Sequence, residues 1–116
     1  MISALNRLVD LVEEQLTEEL AVSGVAAAHG TTEYHLRRMF SSLAGMPLSE
    51  YVRRRRMTVA AADVINGTDL LNIAVRYGYG STEALGRAFR AVHGVSPAEV
   101  RRAGDLCALK PASGSA

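Results

Sequence analysis

The 116-residue sequence has no tryptophan, only 5% aromatic residues, three prolines and a single cysteine. One cysteine, Cys107, cannot form an internal disulfide, and no cluster of Cys and His has the spacing that holds zinc. No apolar run is long enough to span a bilayer, and the chain does not open on the basic-then-apolar pattern of a signal peptide. The expected location is therefore the cytoplasm, with no membrane among the partners. Missing too are a Ser/His/Asp set, a phosphate-binding glycine loop and a pair of carboxylates that stands out from surface charge, so neither an enzyme, a cofactor nor a metal site is expected. What is abundant is alanine, leucine, valine and arginine, a composition that favours helix over sheet. With 48% hydrophobic residues the chain can build the core of one modest domain.

The net charge of +1 gives little hint of a polyanionic partner, but its distribution does. Residues 1–34 carry Arg7 against six carboxylates, whereas residues 35–102 carry eleven arginines against Glu50, Asp63, Asp69, Glu83 and Glu99. An acidic leading segment followed by a basic body fits a one-sided surface for a polyanion. Every base of that body is arginine, whose planar fork suits phosphate and guanine.

The apolar spacing predicts an all-α fold. Leu5, Leu8, Val9, Val12 and Leu16 form the buried stripe of a first helix from about Ser3 to Thr17, with Asp10, Glu13 and Glu14 opposite. A short apolar piece, Val22 to Ala28, ends at His29-Gly30, and Thr32 can cap the next helix. There, Leu36, Met39, Phe40 and Leu43 are expected inside, and Tyr34, Arg37, Arg38 and Ser41 outside, both sets at i, i+3, i+4, i+7 spacing. Pro47 opens a long helix that runs to about Ile65 and stops at Asn66-Gly67. Leu48, Tyr51, Val52, Val59 and Ala62 share one of its sides, and Met57 and Val64 lie opposite, the pattern of a connector. Asp69 to Tyr77 and a Ser81-capped helix follow. That helix buries Leu85, Ala88, Phe89 and Val92 and turns Glu83, Gly86, Arg87 and Arg90 outward. Ser96-Pro97-Ala98-Glu99 reads as a capping box opening a last short helix.

The two halves repeat each other. Val25, Ala26 and Gly30 match Ile73, Ala74 and Gly78 at an offset of 48, and Leu36, Arg38, Phe40, Gly45 and Glu50 match Leu85, Arg87, Phe89, Gly94 and Glu99 at an offset of 49. Each half is a short helix, a glycine turn, a longer amphipathic helix and a glycine stop, the grammar of a helix-turn-helix unit. About seven helices are expected. A first unit covers about 5–46, a connecting helix about 47–65 and a second unit about 68–103, together a domain over 1–104. Residues 105–116, rich in Pro, Ser, Gly and Ala towards the end, read as a flexible tail or linker.

With these motifs in hand, the sequence resembles the AraC/XylS family of bacterial transcription regulators. Tyr34-His35-Leu36-Arg37-Arg38-Met39-Phe40 looks like that family's first recognition helix. Ile73-Ala74-Val75-Arg76-Tyr77-Gly78-Tyr79, Leu85-Gly86-Arg87-Ala88-Phe89 and Gly94-Val95-Ser96-Pro97 look like its second unit. The resemblance covers about Leu5 to Arg102. It implies a seven-helix domain that sets two recognition helices into successive major-groove segments on one face of double-stranded DNA. It also implies a regulator that activates transcription, often by touching RNA polymerase as a second partner, although some members of the family repress.

The second helix of each unit is where readers of DNA place base-contacting side chains. Arg38 and Arg87 are the best candidates for guanine, through two hydrogen bonds to O6 and N7. Arg37 can do the same or hold phosphate, and Tyr34 can pack on a thymine methyl. Ser41 and Arg90 complete the two outer stripes. Thr82 and Glu83 sit at the start of the second reader, where Glu83 either accepts from cytosine N4 or only favours the helix dipole. Gly86 departs from the polar residue the family has at its place, so the second unit reads fewer bases or lets its backbone come closer. Arg53 to Arg56 turn about 100° per residue and so point all around the helix; one or two of them can face phosphate together, with Arg54 and Arg56 the candidates, while Arg55 falls on the apolar side, where a carboxylate partner is expected. Helix-start amides near Ser23, Asp69 and Ser81 are further phosphate candidates. His29 and His93, beside helix-ending glycines, read as partners of the helix dipole.

Two other functions compete with transcription regulation on the same residues. One is a protein-interaction module docking through the acidic first helix, which leaves the paired arginines unexplained. The other is non-specific DNA binding, which the modest net charge disfavours. The helical pattern begins almost at Met1, which places any ligand-sensing domain after the tail, and the domain alone is expected to be monomeric.

Overall fold

The computed structural model describes residues 2–103, so the tail expected over 105–116 lies outside the described residues. Within them are seven helices and no strand: α1 (Ile2–Glu14), α2 (Val22–Ala28), α3 (Glu33–Ala44), α4 (Leu48–Ile65), α5 (Leu70–Arg76), α6 (Thr82–His93) and α7 (Pro97–Ala103). The chain divides into two compact units, one ending at Val52 and the other beginning at Arg53.

In the first unit α1, α2 and α3 pack together around Leu8, Val12, Val25, Leu36 and Phe40. Leu48 and Val52, from the start of α4, complete this core. Each such side chain is worth about 1.5–3 kcal/mol when fully withdrawn from water. The buried stripe of α1 is Ala4, Leu8, Leu11 and Val12. Leu5, Val9 and Leu16, expected inside, are half-buried at its margin, because the helix ends at Glu14 and the stripe is centred between Leu8 and Leu11. Leu43 departs further from expectation: it is 70% exposed. It lies in the last turn of α3, next to the helix end at Ala44, and is not part of the first core. Met39 is half-buried, at the edge of the Leu36–Phe40 stripe.

The second unit packs Met57, Ala61 and Val64 of α4 against Ile73 of α5, Leu85 and Phe89 of α6 and Val100 of α7. Val59 packs against this second core and Ala62 is exposed, so these two residues do not continue the Leu48–Val52 side as the helical wheel suggested. The α4 stripe changes membership along its length as well as around it.

The repeat holds at the level of single hydrogen bonds. Thr31 N–H donates to Ala26 O at 2.9 Å, and Tyr79 N–H donates to Ala74 O at 2.8 Å, the same six-residue closure ending α2 and α5. Gly45 and Gly94 end α3 and α6 in the left-handed region, at φ of 75° and 79°, where a side chain would be strained. These stops fix where each longer helix begins and ends relative to the short one before it.

Candidate nucleic-acid interface

The start of α3 is set by Thr32, whose extended backbone lets its Oγ1 accept from the His35 N–H at 3.1 Å. From there the outer stripe follows helical spacing. Tyr34, Arg37 and Arg38 are exposed, Ser41 is half-buried, and with Ser42 they line one shallow concavity of about 470 Å³. Two of its arginines are held from one turn earlier. Arg37 Nε donates to Glu33 Oε2 at 2.9 Å, in a pair whose side chains are both more than two-fifths exposed. Arg38 Nη1 donates to the Tyr34 hydroxyl at 3.3 Å, and its guanidinium carbon lies 5.8 Å from the centre of the Tyr34 ring. Guanidinium has five donors, so most remain available to acceptors outside the protein. Glu33 and Ser42 were not singled out from the sequence, although the Glu33–Arg37 spacing of four carried the signal for the first.

The start of α6 repeats the device: Ser81 Oγ accepts from the Ala84 N–H at 3.1 Å. Glu83, Arg87 and Arg90 are exposed along the helix, while Thr82 and Gly86 are half-buried. Arg87 has no hydrogen-bond or ion-pair partner among the described residues. Arg90 Nη1 stands 3.7 Å from Glu99 Oε1, with Arg90 64% exposed, so this pair is long, open to water and energetically slight. A Cβ built on Gly86 would meet nothing within 4 Å. Packing inside the protein therefore does not demand glycine there.

Arg54 and Arg56 lie on α4, half-buried, and each already has an interaction within the protein; the same is true of Arg53 and Arg55. They are not among the residues that line the α3 concavity. At the starts of α2 and α5 neither Ala21 nor Asp69 caps with its side chain. His29 Nδ1 meets Val25 O at 3.0 Å, a local contact of the kind expected. His93 corrects expectation. It is buried, bonds to Met57 O at 2.8 Å in α4 and packs at a tilt against Phe89 with ring centres 4.5 Å apart, because α6 turns its last residues into the second core.

Below α6 the second unit is tied by polar contacts that position it. Tyr77 O–H and Arg76 Nη1 both donate to Asp63 Oδ2 at 3.0 Å, joining α5 to α4. Burial, then the bond to Asp63 and its charge, push the Tyr77 hydroxyl above its ordinary pKa, with Arg76 opposing. Arg101 Nε donates to Val64 O at 3.1 Å, and its Nη2 donates to Thr68 O, so α7 satisfies one carbonyl at the end of α4 and one in the turn that follows it. Among the described residues no group of His, Cys, Asp or Glu is placed to hold a metal, and no helix is long and apolar enough to cross a membrane.

Comparison with known proteins agrees with this geometry. A family described as "Helix-turn-helix domain" matches residues 25–103. The chain is 33% identical over 114 residues to the HTH-type transcriptional activator AarP of Providencia stuartii, covering 94% of this chain and 84% of AarP. It is 32% identical over 98 residues to the multiple antibiotic resistance protein MarA of Escherichia coli K12, covering 84% of this chain and 77% of MarA. Its fold is that of a transcriptional regulator with an AraC-type DNA-binding domain from Chromobacterium violaceum, at a TM-score of 0.79 and 22% identity over 90% of this chain and 94% of that one. The repeated units, the two capped outer helices and this likeness carry one conclusion: the chain belongs to the AraC/XylS family of helix-turn-helix, DNA-binding transcription regulators.

Proposed function

We propose that the chain is a sequence-specific transcription regulator that sets α3 and α6 into successive major-groove segments of double-stranded DNA. The observation that carries this reading is the stripe on α3, where Tyr34, Arg37, Arg38 and Ser41 line one open concavity around guanidinium donors. Arg38 grips guanine, Arg37 guanine or phosphate, and Tyr34 and Ser41 complete the first contact surface. On α6, Arg87 reads a base, Arg90 holds phosphate, and Thr82 and Glu83 meet the DNA at the helix start. Arg54 and Arg56 supply phosphate contacts from α4 by exchanging their present partners. The parts divide as a first reading unit over about 5–46, a connecting helix over about 47–65 and a second unit over about 68–103.

AarP is named an activator, and its match over 84% of its length supports the same sense of regulation here. On this reading the chain works in the cytoplasm, without catalysis, as a monomer on an asymmetric site, with RNA polymerase as its second partner. Selection of random duplex DNA with the purified protein at near-physiological salt tests the proposal. Two enriched motifs about one helical turn, roughly 34 Å, apart are expected. A single motif would remove one unit from base reading. No enrichment, with binding that vanishes as salt rises, would leave only a non-specific polyanion binder.

A further inference from the structure

Arg38 is held by one neighbour in two ways, by the hydrogen bond from Nη1 to the Tyr34 hydroxyl at 3.3 Å and by the ring face 5.8 Å from its guanidinium carbon. Tyr34 is itself 70% exposed, so the core does not explain where this ring lies. The arrangement is absent from the other half of the repeat. The positions of Tyr34 and Arg38 are taken there by Glu83 and Arg87, and Arg87 has no partner among the described residues although the spacing of four is the same. Helix geometry alone therefore does not produce it.

Its chemical consequence follows from which donor is used. With Nη1 engaged by the tyrosine, the free edge of the guanidinium is Nε and Nη2, two parallel N–H groups that match a pair of acceptors. In the major groove guanine offers such a pair, O6 and N7. Adenine offers N7 beside an N–H donor, which repels the second arm. An arginine biased towards this pose before DNA arrives also loses less side-chain freedom on binding than an unrestrained one.

We infer that Tyr34 is a positioning residue for base recognition: it presents the Nε–Nη2 edge of Arg38, so that the first unit's preference for guanine depends on the tyrosine hydroxyl. The inference rests on the reading of α3 as a DNA-reading helix. It assigns Tyr34 an action through Arg38 beyond any contact of its own with a thymine methyl.

The test uses the full chain and duplexes of its selected site in which each base pair is varied in turn. Tyr34→Phe removes the hydroxyl and keeps the ring, Tyr34→Leu removes both, and Arg38→Ala marks the base pair that Arg38 reads. Tyr34→Phe should lower the guanine preference at that same base pair by roughly threefold, the scale of one exposed hydrogen bond. Tyr34→Leu should lower it further. In an Arg38→Ala background Tyr34→Phe should have no additional effect. A loss at a different base pair, a loss that persists without Arg38, or an unchanged preference would overturn the inference while leaving α3 as the reader. A uniform loss on all sequences from Arg38→Ala would make Arg38 a phosphate contact, and no loss would take α3 off the DNA; either overturns the reading beneath the inference as well.

Discussion

The Nε2 of His93 donates a 2.8 Å hydrogen bond to the carbonyl oxygen of Met57, 36 residues earlier, and so ties the end of α6 to α4. The carbonyl can only accept, which places the proton on Nε2 and leaves Nδ1 buried without a partner. Two opposed terms follow. The bond contributes about 1 kcal/mol, and the orphaned Nδ1 costs a similar amount. The ring, packed at a tilt against Phe89, supplies packing that neither term touches. His93→Phe should therefore stay within about 1 kcal/mol of the parent, whereas His93→Ala should lose about 2–4 kcal/mol to the cavity it leaves. Urea unfolding measures both, and a large loss in His93→Phe would show that the hydrogen bond outweighs the packing.

Leu43 and Phe40 lie three residues apart on α3 and are predicted to behave oppositely. Phe40 is 5% exposed and Leu43 is 70% exposed. Phe40→Ala should cost about 3–5 kcal/mol, as should Phe89→Ala at the equivalent place in α6. Leu43→Ser should change stability by no more than about 0.5 kcal/mol. A Leu43→Ser loss on the scale of Phe40→Ala would mean that something covers the last turn of α3 in solution.

Tyr77 gives stability an alkaline edge. Its hydroxyl is raised above its ordinary value of about 10 chiefly by burial, so the fold favours the neutral form. A raised folded-state pKa contributes stability that is fully present below the unfolded value and is lost as pH climbs through the folded one. Tyr77→Phe keeps the ring and leaves Asp63 bonded to Arg76, so it should cost about 1 kcal/mol at neutral pH. The gap between parent and variant should hold steady to about pH 9 and shrink above about pH 10. Paired unfolding curves across that range check it, and a gap that widens with pH would reverse the assigned sign.

How much of this was legible in the sequence depends on the kind of feature. Caps and stops were: Thr32, Ser81, Gly45 and Gly94 act through their own local backbone, and local rules found them. The outer stripe on α3 was legible as well, since Tyr34, Arg37, Arg38 and Ser41 share a face by spacing alone. What spacing could not give is what lies across from a residue. Leu43 has the phase of a core residue but is exposed in the last turn of α3, and His93 has a helix-end position but faces α4. Arg101 reads as one more base in an arginine-rich chain, yet it bonds to one backbone carbonyl at the end of α4 and one in the turn that follows it. Each of these is settled by tertiary placement, which no window of neighbouring residues contains.

Glu33 is predicted to restrain binding. Its carboxylate holds Arg37 Nε at 2.9 Å and adds a negative charge beside the reading surface. The pair is half exposed and worth less than about 1 kcal/mol, so DNA phosphate can displace it. Glu33→Gln should raise affinity severalfold on all sequences and steepen the salt dependence by roughly one counterion. It should also cost a few tenths of a kcal/mol in stability, because a carboxylate in the first turn favours the helix dipole. Binding titrations at several salt concentrations separate the outcomes: a fall in affinity confined to one sequence would make Glu33 an aid to Arg37 in place of a restraint.

Gly86 sits in the middle of α6, between Thr82 and His93, where glycine costs about 1 kcal/mol relative to alanine. Nothing among the described residues repays that cost. Its φ is not in the left-handed region, and a Cβ there would have no neighbour within 4 Å. It lies on the outer stripe with Glu83 and Arg87, at the position that Arg37 holds in α3. A reason for glycine must then come from outside the chain, and the close approach of DNA backbone or base edges to α6 is the one that the proposed function supplies. Gly86→Ala should raise stability by about 0.5–1 kcal/mol and at the same time weaken specific DNA binding severalfold. Melting and binding measured on the same preparation decide the matter. If stability rises and binding is unchanged, α6 does not come near enough to the DNA for a methyl group to matter, and base reading rests on α3.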